Sequence, residues 1–313
     1  MLLIGKQLPL IVILGPTSIG KTSLAIELAE VINGEIIGAD SRQIYKHMDI
    51  GTAKPTTSDQ QRVPHHLIDV VTPDNNLSLA NYQQLTYQAI TDIHKRERIP
   101  LLVGGTGQYI SAVTEGWSIP EVPPNEKLRE ELEQFANEFG QNTLYDRLLA
   151  IDPEAAEKIH PNNVRRVIRA IEVHSETGQK ISDLQRKKPP PYTILELGLT
   201  ISRQILYERA NKRVDQMMSA GFLDEVERLH KMGYHRKLPS MSGLGYAELS
   251  AHLIDGLPLE QAIHDTQIAT HRFIRRQYTW FRGHDNGIEW YDLEHTISKT
   301  IIDRVLRWKK ELS

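Results

Sequence analysis

The chain has 313 residues, of which 40% are hydrophobic and 25% are charged, with a formal net charge of −3. These values are ordinary for a globular protein of one or two domains, and they exclude a uniformly basic nucleic-acid-binding protein. The absence of cysteine excludes disulfides and thiolate sites and fits a reducing compartment such as the cytoplasm, and the absence of an apolar run near ~20 residues predicts no membrane contact.

A loop typical of phosphate-binding proteins follows the first apolar segment. Residues 10–14 predict a buried strand, and a helix-forming run begins at position 21. Between strand and helix lies the pattern G-x-x-x-x-G-K-[ST], in the context that it requires. Its residues are Gly15, Pro16, Thr17, Ser18, Ile19, Gly20, Lys21 and Thr22. Such a loop combines backbone N–H groups, the positive end of a helix and a lysine charge. It therefore predicts a site for a diphosphate-like group, with Thr22 as a ligand for Mg²⁺.

Strands and helices alternate in the segments that follow. The predicted strands are residues 35–39, 66–70 and 100–103, and the predicted helix is residues 79–98. This alternation predicts a parallel sheet, in which ligands bind beyond the carboxyl ends of the strands. The phosphate-binding loop, Asp40 and Thr106 all come shortly after predicted strands, so we expect them to meet in one site.

The pattern changes between two groups of prolines. Pro120, Pro123 and Pro124 precede a stretch with helical patterns alone, and residues 189–191 close it. The helices predicted there are residues 126–139, 143–151, 153–159, 162–177 and 182–186. We therefore predict a P-loop NTPase-like α/β core of residues 1–118 and 191–313, with a parallel sheet flanked by helices, and an all-helical insertion of residues 119–190.

The chain after the insertion returns to the core. Residues 193–199 predict a strand that rejoins the sheet, and the remainder is predicted to be helical. The predicted helices are residues 203–220, 222–232, 243–254, 259–282 and 296–311. The segment 271–282 carries four arginines, several aromatic residues and no acidic residue. Such a segment can bind nucleic acid or can pack its aromatic side chains with the arginines outside.

Charge is distributed unevenly. Residues 121–157 carry ten acidic and three basic side chains, whereas residues 158–213 carry twelve basic and five acidic ones. Within the basic stretch, Arg165 and Arg169 fall on one face of a predicted helix, and Arg166 adjoins both. Such an arginine face suits RNA phosphates, although an exposed helix face with an Arg–Glu pair has the same composition.

Three side chains are candidates for chemistry. Asp40 can serve as a general base, as a helix cap or as an outer-sphere partner of Mg²⁺. An ATPase usually has an acidic residue at a strand end to hold Mg²⁺ and orient water, but the strand at 101–103 ends in Gly-Gly-Thr, which weighs against hydrolysis. Thr106 supplies a hydroxyl or an N-cap there. Arg213 is a clamp for a phosphate group or an exposed helical charge.

Eight segments, in order along the chain, together resemble one family, the tRNA dimethylallyltransferases (tRNA isopentenyltransferases). They are GPTSIGKT (15–22), ADSRQIYKHMDIGTAKP (39–55), PHHLIDV (64–70), PLLVGGTGQYI (100–110), IHPNNVRRVIRAIEV (159–173), SAGFLDEV (219–226), LPSMSGLGY (238–246) and RRQYTWFR (275–282). Each segment is generic by itself, and their combination is specific.

The resemblance implies transfer of a dimethylallyl group from dimethylallyl diphosphate to N6 of adenosine 37, in the anticodon stem-loop of tRNA. It implies that the phosphate-binding loop holds the diphosphate with Mg²⁺ near Thr22, and that Asp40 is the base. Thr106 would lie in the reaction channel, and Arg213 would contact the diphosphate. The implied tRNA contacts are Asp40, Ser41, Arg42, Gln43, Arg129, Arg165, Arg166, Val167, Ile168, Arg169, Ser242, Gly243, Leu244, Gly245, Tyr246 and Ala247. We expect a monomer.

Two positions depart from the family pattern. His47 stands where glycine is usual, which we expect to be harmless, and Ser242 lacks the longer polar side chain often found there. A second hypothesis is a P-loop small-molecule or nucleoside kinase, in which the same loop would bind a nucleotide, ATP. A third is a non-catalytic RNA-binding protein, which the intact Lys21, Thr22 and Asp40 disfavour.

Overall fold

The structure is a computed structural model that describes residues 8–185, 187–285 and 287–312. The chain divides into two compact units. One contains the residues up to Thr114 and those from Pro191 onward, and the other is Glu115–Pro190. The described helices do not include one that is both long enough and apolar enough to cross a membrane.

A six-stranded parallel sheet lies at the centre of the first unit, in the order β3-β2-β4-β1-β5-β6. Its described strands are β1 (Leu8–Leu14), β2 (Gly34–Ala39), β3 (His65–His66), β4 (Ile99–Gly104), β5 (Tyr192–Thr200) and β6 (Glu289–Asp292). β1 lies between β4 and β5, so both of its edges are paired, and helices pack on both of its faces, which fits its continuously apolar sequence. The predicted parallel sheet is confirmed.

Helices cover both faces of this sheet, as predicted. In the first unit they are α1 (Lys21–Ile32), α2 (Thr57–Arg62), α3 (Leu79–Lys95), α4 (Gly107–Thr114), α10 (Arg203–Ser219), α11 (Phe222–Lys231), α12 (Tyr246–Asp255), α13 (Leu259–Gly283) and α14 (Ser298–Glu311). Successive residues of β1 point to opposite faces. Ile11 and Ile13 pack with residues of α1, α10 and α14, and Leu10 and Val12 pack with residues of α3 and α4.

The structure corrects three predicted elements. The strand predicted at 66–70 is only His65–His66, because Leu67 and Asp69 adopt positive φ angles of 60° and 55° that end the ladder. The remainder after β5 is not wholly helical, since β6 adds four residues in parallel to β5. The helix predicted from position 243 begins at Tyr246, after Gly245 with φ +82°.

The second unit is helical. Its helices are α5 (Glu126–Phe139), α6 (Gln141–Ile151), α7 (Pro153–Lys158), α8 (Val164–Thr177) and α9 (Ile181–Leu184). The predicted helix 182–186 extends to a position, 186, that lies outside the described residues. Leu144, Leu148, Val167 and Ile168 belong to the buried core of this unit. Its apolar core indicates a unit with packing of its own.

Candidate active site

The phosphate-binding loop connects the end of β1 to the start of α1. Gly15 has φ +148°, and a Cβ atom there would lie 2.8 Å from the Leu199 carbonyl oxygen on β5, so the loop can pass this close to β5 only with glycine. Ser18 has φ +63° and is more than nine-tenths buried. Its hydroxyl has no hydrogen-bond partner among the described residues. The loop therefore keeps a buried polar group available to a ligand.

The Lys21 side chain folds back over the loop. Its Nζ atom donates to the Pro16 carbonyl oxygen at 2.7 Å. Burial lowers the pKa of Lys21 to about 7, while the Asp40 carboxylate raises it and the Arg213 guanidinium lowers it further. Burial also lowers the pKa of Arg213, and the charge of Asp40 opposes that change. These mutual effects indicate that the two cations and the carboxylate interact electrostatically at one site.

Asp40 follows the last residue of β2, at the carboxyl edge of the sheet. Its Oδ1 atom accepts the Arg42 backbone N–H at 2.8 Å, which leaves the second carboxylate oxygen free of this bond. Asp40 lines a cavity of about 200 Å³ together with Thr17, Ser18 and Arg213. The structure therefore brings together the predicted base, two residues of the phosphate-binding loop and the predicted phosphate clamp.

Several apolar side chains also line this cavity: Ala210, Val214 and Met217 of α10, Phe222 of α11, Leu244, and Phe273 of α13. Three threonines, Thr52, Thr266 and Thr270, lie among them in the lining. Arg276, also on α13, joins Arg42 and Arg213 in the lining. Of the apolar residues, only Leu244 was assigned to the site from the sequence, because the helical spacing of the others is indistinguishable from that of core residues. The arrangement places a compact apolar space beside a polar, cationic end.

Thr106 lies next to Asp40 through Ser41. The Thr106 backbone N–H donates to the Ala39 carbonyl oxygen at 3.1 Å, and its Oγ1 atom accepts the Ser41 N–H at 3.0 Å. The hydroxyl thus joins the end of β4 to the segment that follows β2. Thr106 is not among the residues that line the cavity, so its place in a reaction channel stays a prediction.

Arg42 joins two segments that the resemblance assigns to tRNA contact. Its Nη1 atom donates to the carbonyl oxygens of Pro239 and Ser240 at 2.7 and 3.1 Å, and its Nη2 atom donates to the Ser242 hydroxyl at 3.1 Å. Gln43 is turned toward the Thr52 and Ala53 carbonyl oxygens. Ser41, Arg42, Ser242, Gly243, Leu244 and Tyr246 line the cavity.

The buried carboxylate of Glu225 fixes the loop of residues 49–51, of which Gly51 lines the cavity. Its Oε2 atom accepts the N–H groups of Asp49 and Ile50 at 3.0 and 2.8 Å. Its Oε1 atom accepts the Gly51 N–H at 3.1 Å and the Tyr246 hydroxyl at 2.7 Å. The sequence analysis quoted Glu225 only within a family segment, since one acidic residue in a helix carries no signal of this contact.

The predicted RNA-binding residues of the second unit separate into three groups. Arg165 and Arg166 are exposed on α8. Arg129 and Arg169 instead bind the buried Glu172, with Arg129 Nε at 2.8 Å. Val167 and Ile168 belong to the core of the unit. Among the described arginines of the predicted set, Arg165 and Arg166 present guanidinium groups that are not engaged with Glu172.

The oxygen donors near the loop fit a magnesium ion. The described residues do not form a cluster of three or more His, Asp or Glu side chains of the kind that holds a metal by itself. Mg²⁺ is commonly bound through one or two protein oxygens, with phosphate oxygens and waters as the remaining ligands. The Thr22 hydroxyl is an oxygen donor of that type, and the Asp40 carboxylate can accept from a water bound to the ion. The donor set therefore fits Mg²⁺ held jointly with a diphosphate.

Comparisons with known proteins identify the family of the chain. The model of the IPP transferase family matches residues 43–284. The tRNA dimethylallyltransferase of Roseiflexus sp. (strain RS-1) is 53% identical over 276 residues, which cover 88% of this chain and 90% of the relative. The solved tRNA isopentenylpyrophosphate transferase from Bacillus halodurans is 41% identical, with a TM-score of 0.72, and the match covers 98% of this chain and 97% of that one.

A further solved structure is that of a eukaryotic dimethylallyltransferase acting on tRNA. It is 29% identical with a TM-score of 0.76, and the match covers 91% of this chain and 73% of that one. These comparisons favour a prenyltransferase over a small-molecule kinase. They confirm the resemblance found from the sequence segments, and the chain therefore belongs to the IPP transferase family, the family of the tRNA dimethylallyltransferases.

Proposed function

We propose that the protein transfers a dimethylallyl group from dimethylallyl diphosphate to N6 of adenosine 37 in tRNA, giving N6-dimethylallyladenosine and diphosphate. The observation that carries this proposal is the single cavity that joins Asp40, Arg213 and the phosphate-binding loop to an apolar wall. A five-carbon prenyl group is suited to such a wall, because exposure of the group to water costs free energy.

The diphosphate of the donor would occupy the cationic end of the cavity. Lys21 and Arg213 meet the negative charge that develops on the leaving group, and the Ser18 hydroxyl adds a donor that lacks a partner among the described residues. The Thr22 hydroxyl is the protein oxygen that would hold Mg²⁺ together with diphosphate oxygens and waters, and the ion would neutralise diphosphate charge. The prenyl group would then lie along Met217, Phe222 and Phe273.

The adenine amine would enter from the side of Asp40. The lone pair of an exocyclic adenine amine is delocalised into the ring, so the amine is a poor nucleophile. In the proposed step the N6–C bond forms, the bond between the prenyl carbon and the diphosphate oxygen breaks, and the N6 proton passes to the Asp40 carboxylate. Adenosine 37 must leave the anticodon stack to reach this cavity, at a cost of a few kcal/mol.

We propose that tRNA contacts include Arg165 and Arg166 in the second unit and the Ser41–Arg42 and Ser242–Leu244 segments around the cavity. The exposed guanidinium groups of α8 are suited to backbone phosphates. Arg42 already bonds to Ser242, so Arg42 would position the 239–242 segment as well as contact RNA. A tRNA substrate places the reaction in the cytoplasm, and we propose that the protein acts as a monomer.

The deciding experiment supplies purified protein with Mg²⁺, labelled dimethylallyl diphosphate and an anticodon stem-loop that carries A36-A37-A38. We expect label on adenine N6, and no label when A37 is replaced by G. ATP with a nucleoside or small-molecule acceptor tests the kinase alternative in parallel. Phosphorylation of that acceptor without prenyl transfer would overturn the proposal.

A further inference from the structure

Gln277 of α13 lies inside the protein, although it belongs to an arginine-rich and aromatic segment. It is only 6% exposed. Its Oε1 atom accepts the Thr17 backbone N–H at 2.9 Å, and its Nε2 atom donates to the Gly105 carbonyl oxygen at 2.9 Å. One amide group therefore connects the phosphate-binding loop to the turn that follows β4.

The turn is shaped to receive this amide. A Cβ atom at Gly105 would lie 2.3 Å from Gln277 Nε2 and 3.2 Å from the Gly15 carbonyl oxygen. Neither distance leaves room for a side chain without displacement of the amide or of the phosphate-binding loop. The need for glycine at position 105 is thus explained by the space that the Gln277 amide occupies.

The connection continues from this turn to the catalytic carboxylate. Thr106 follows Gly105 directly, and its Oγ1 atom accepts the Ser41 N–H. Ser41 follows Asp40, whose own Oδ1 atom accepts the Arg42 N–H. A displacement of the Gly105 carbonyl would therefore reach Asp40 through two hydrogen bonds and two peptide units. The Thr17 bond anchors the opposite side, where the diphosphate binds.

We propose that Gln277 is a positioning residue for prenyl transfer, which fixes the phosphate-binding loop and the β4 turn relative to each other. The inference rests on the proposed function, because the separation that it fixes is the one between the diphosphate and the base. An uncharged amide suits the task since it accepts with one atom and donates with the other. Leucine has a similar size and does neither, and an ionised carboxylate only accepts.

The first test compares Gln277→Leu with Gln261→Leu, a matched change of an exposed glutamine on the same helix. Calorimetry with inorganic diphosphate and Mg²⁺ measures Kd, and transfer to the stem-loop measures kcat. For Gln277→Leu we expect Kd to rise about tenfold, because a buried N–H group loses its partner, and kcat to fall further. Gln261→Leu should stay within about twofold of the unsubstituted protein. Equal behaviour of the two variants would overturn the proposal.

The second test uses Gln277→Glu and needs no change of side-chain shape. A protonated carboxyl group can accept from Thr17 and donate to Gly105, whereas the ionised form faces the Gly105 carbonyl oxygen without a proton. We expect the ratio of its kcat to that of the unsubstituted protein to rise as the pH falls through the pKa of the buried glutamate. The ratio at each pH cancels the titration of groups that both proteins share, Lys21 among them.

A role in packing alone would lower activity by a factor that does not depend on pH. A constant ratio for Gln277→Glu would therefore overturn the proposal, even if Gln277→Leu failed to fold. The diphosphate measurement keeps the two claims apart. If the unsubstituted protein binds diphosphate but transfers no prenyl group, the proposed function fails, and the dependence of Kd on Gln277 still tests the positioning of the loop.

Discussion

At the scale of single residues, the role of Asp40 as the general base gives the most direct prediction. It lines the cavity beside Arg213, and one of its oxygens is engaged by the Arg42 N–H. Asp40→Asn keeps the size of the side chain and removes the proton acceptor, so we expect kcat to fall by about 10²–10⁴-fold. Kd for inorganic diphosphate, measured by calorimetry, should change by less than about threefold. An unchanged kcat would exclude Asp40 as the base.

The titration of Lys21 makes the affinity for dimethylallyl diphosphate depend on pH in a definite direction. Its pKa of about 7 in the free protein must rise when a diphosphate is bound, because the anion favours the charged amine. The affinity for dimethylallyl diphosphate should therefore fall as the pH rises above 7, and it should level off below that value. Lys21→Arg removes this titration, since arginine stays charged. The difference between the two affinity profiles, measured from pH 6 to 9, isolates Lys21 from the titration of the ligand.

His47 has a backbone reason to be glycine in other members of the family. Its φ angle is +67°, in the left-handed region that costs a non-glycine residue roughly 1–2 kcal/mol. Glycine removes this strain but adds freedom to the unfolded chain, which offsets up to about 1 kcal/mol. We expect His47→Gly to leave kcat unchanged and to raise the free energy of unfolding by ~0.5 kcal/mol, measured by denaturant titration. A loss of stability would show that the imidazole contributes contacts that outweigh the strain.

At the scale of elements, helix α8 shows that equal charges on one helix serve different purposes. Arg169 and the distant Arg129 bind the carboxylate of Glu172, which is fully buried. Burial alone would raise the pKa of Glu172, but hydrogen bonds from both arginines outweigh it and hold the pKa below its usual value. Arg165 and Arg166 are exposed. Arg129 and Arg169 should therefore contribute to the stability of the fold. Arg165 and Arg166 should contribute to RNA binding.

This division is tested with a double variant of the exposed arginines and a single variant of a buried ion pair. Arg165→Ala with Arg166→Ala should weaken stem-loop binding and reduce the slope of log K against log salt by about 1–2, with no change in thermal unfolding. Arg129→Ala should leave Glu172 with one partner fewer and cost about 1–3 kcal/mol of unfolding free energy. Calorimetric scans and salt titrations separate the two effects. Equal losses of RNA affinity in both sets would contradict the assignment.

Elements with a local signal could be predicted from the sequence, and those set by tertiary contacts could not. The phosphate-binding loop, β1 and the helices of the second unit follow from pattern and spacing. β6 was missed because four residues with an apolar and polar mixture gain their conformation only by pairing with β5. The strand at 66–70 was overestimated because the positive φ angles of Leu67 and Asp69 have no signature in residue type.

The residues of the site also divide into those with a local signal in the sequence and those whose role is set by tertiary contacts. Asp40, Arg213 and the phosphate-binding loop could be proposed because each has a chemical reason to be where it is in the sequence. The contacts of Gln277 and Glu225 depend on residues 260 and about 175 positions away, respectively. Their side chains look like those of any polar residue in an amphipathic helix. The apolar residues that line the cavity could not be predicted for a related reason. Side chains that line a ligand site and side chains that fill a core have the same spacing along a helix.

At the scale of the whole molecule, the sheet is built from two stretches of chain that are far apart in sequence. β1 pairs with β4 on one side and with β5 on the other, and the second unit, Glu115–Pro190, lies between β4 and β5 in sequence. The sheet therefore depends on contacts of high sequence separation, which slow folding. The second unit has its own core, so its packing does not have to wait for the sheet.

This order has a consequence for synthesis on the ribosome. After β4 emerges, roughly 90 further residues must be translated before β5 is complete, which takes about 5–20 s at common bacterial rates. During that interval one edge of β1 has no partner, and its apolar face is open to aggregation or to chaperones. Nascent chains stalled before residue 192 should bind chaperones more strongly than chains stalled some 40 residues after β5.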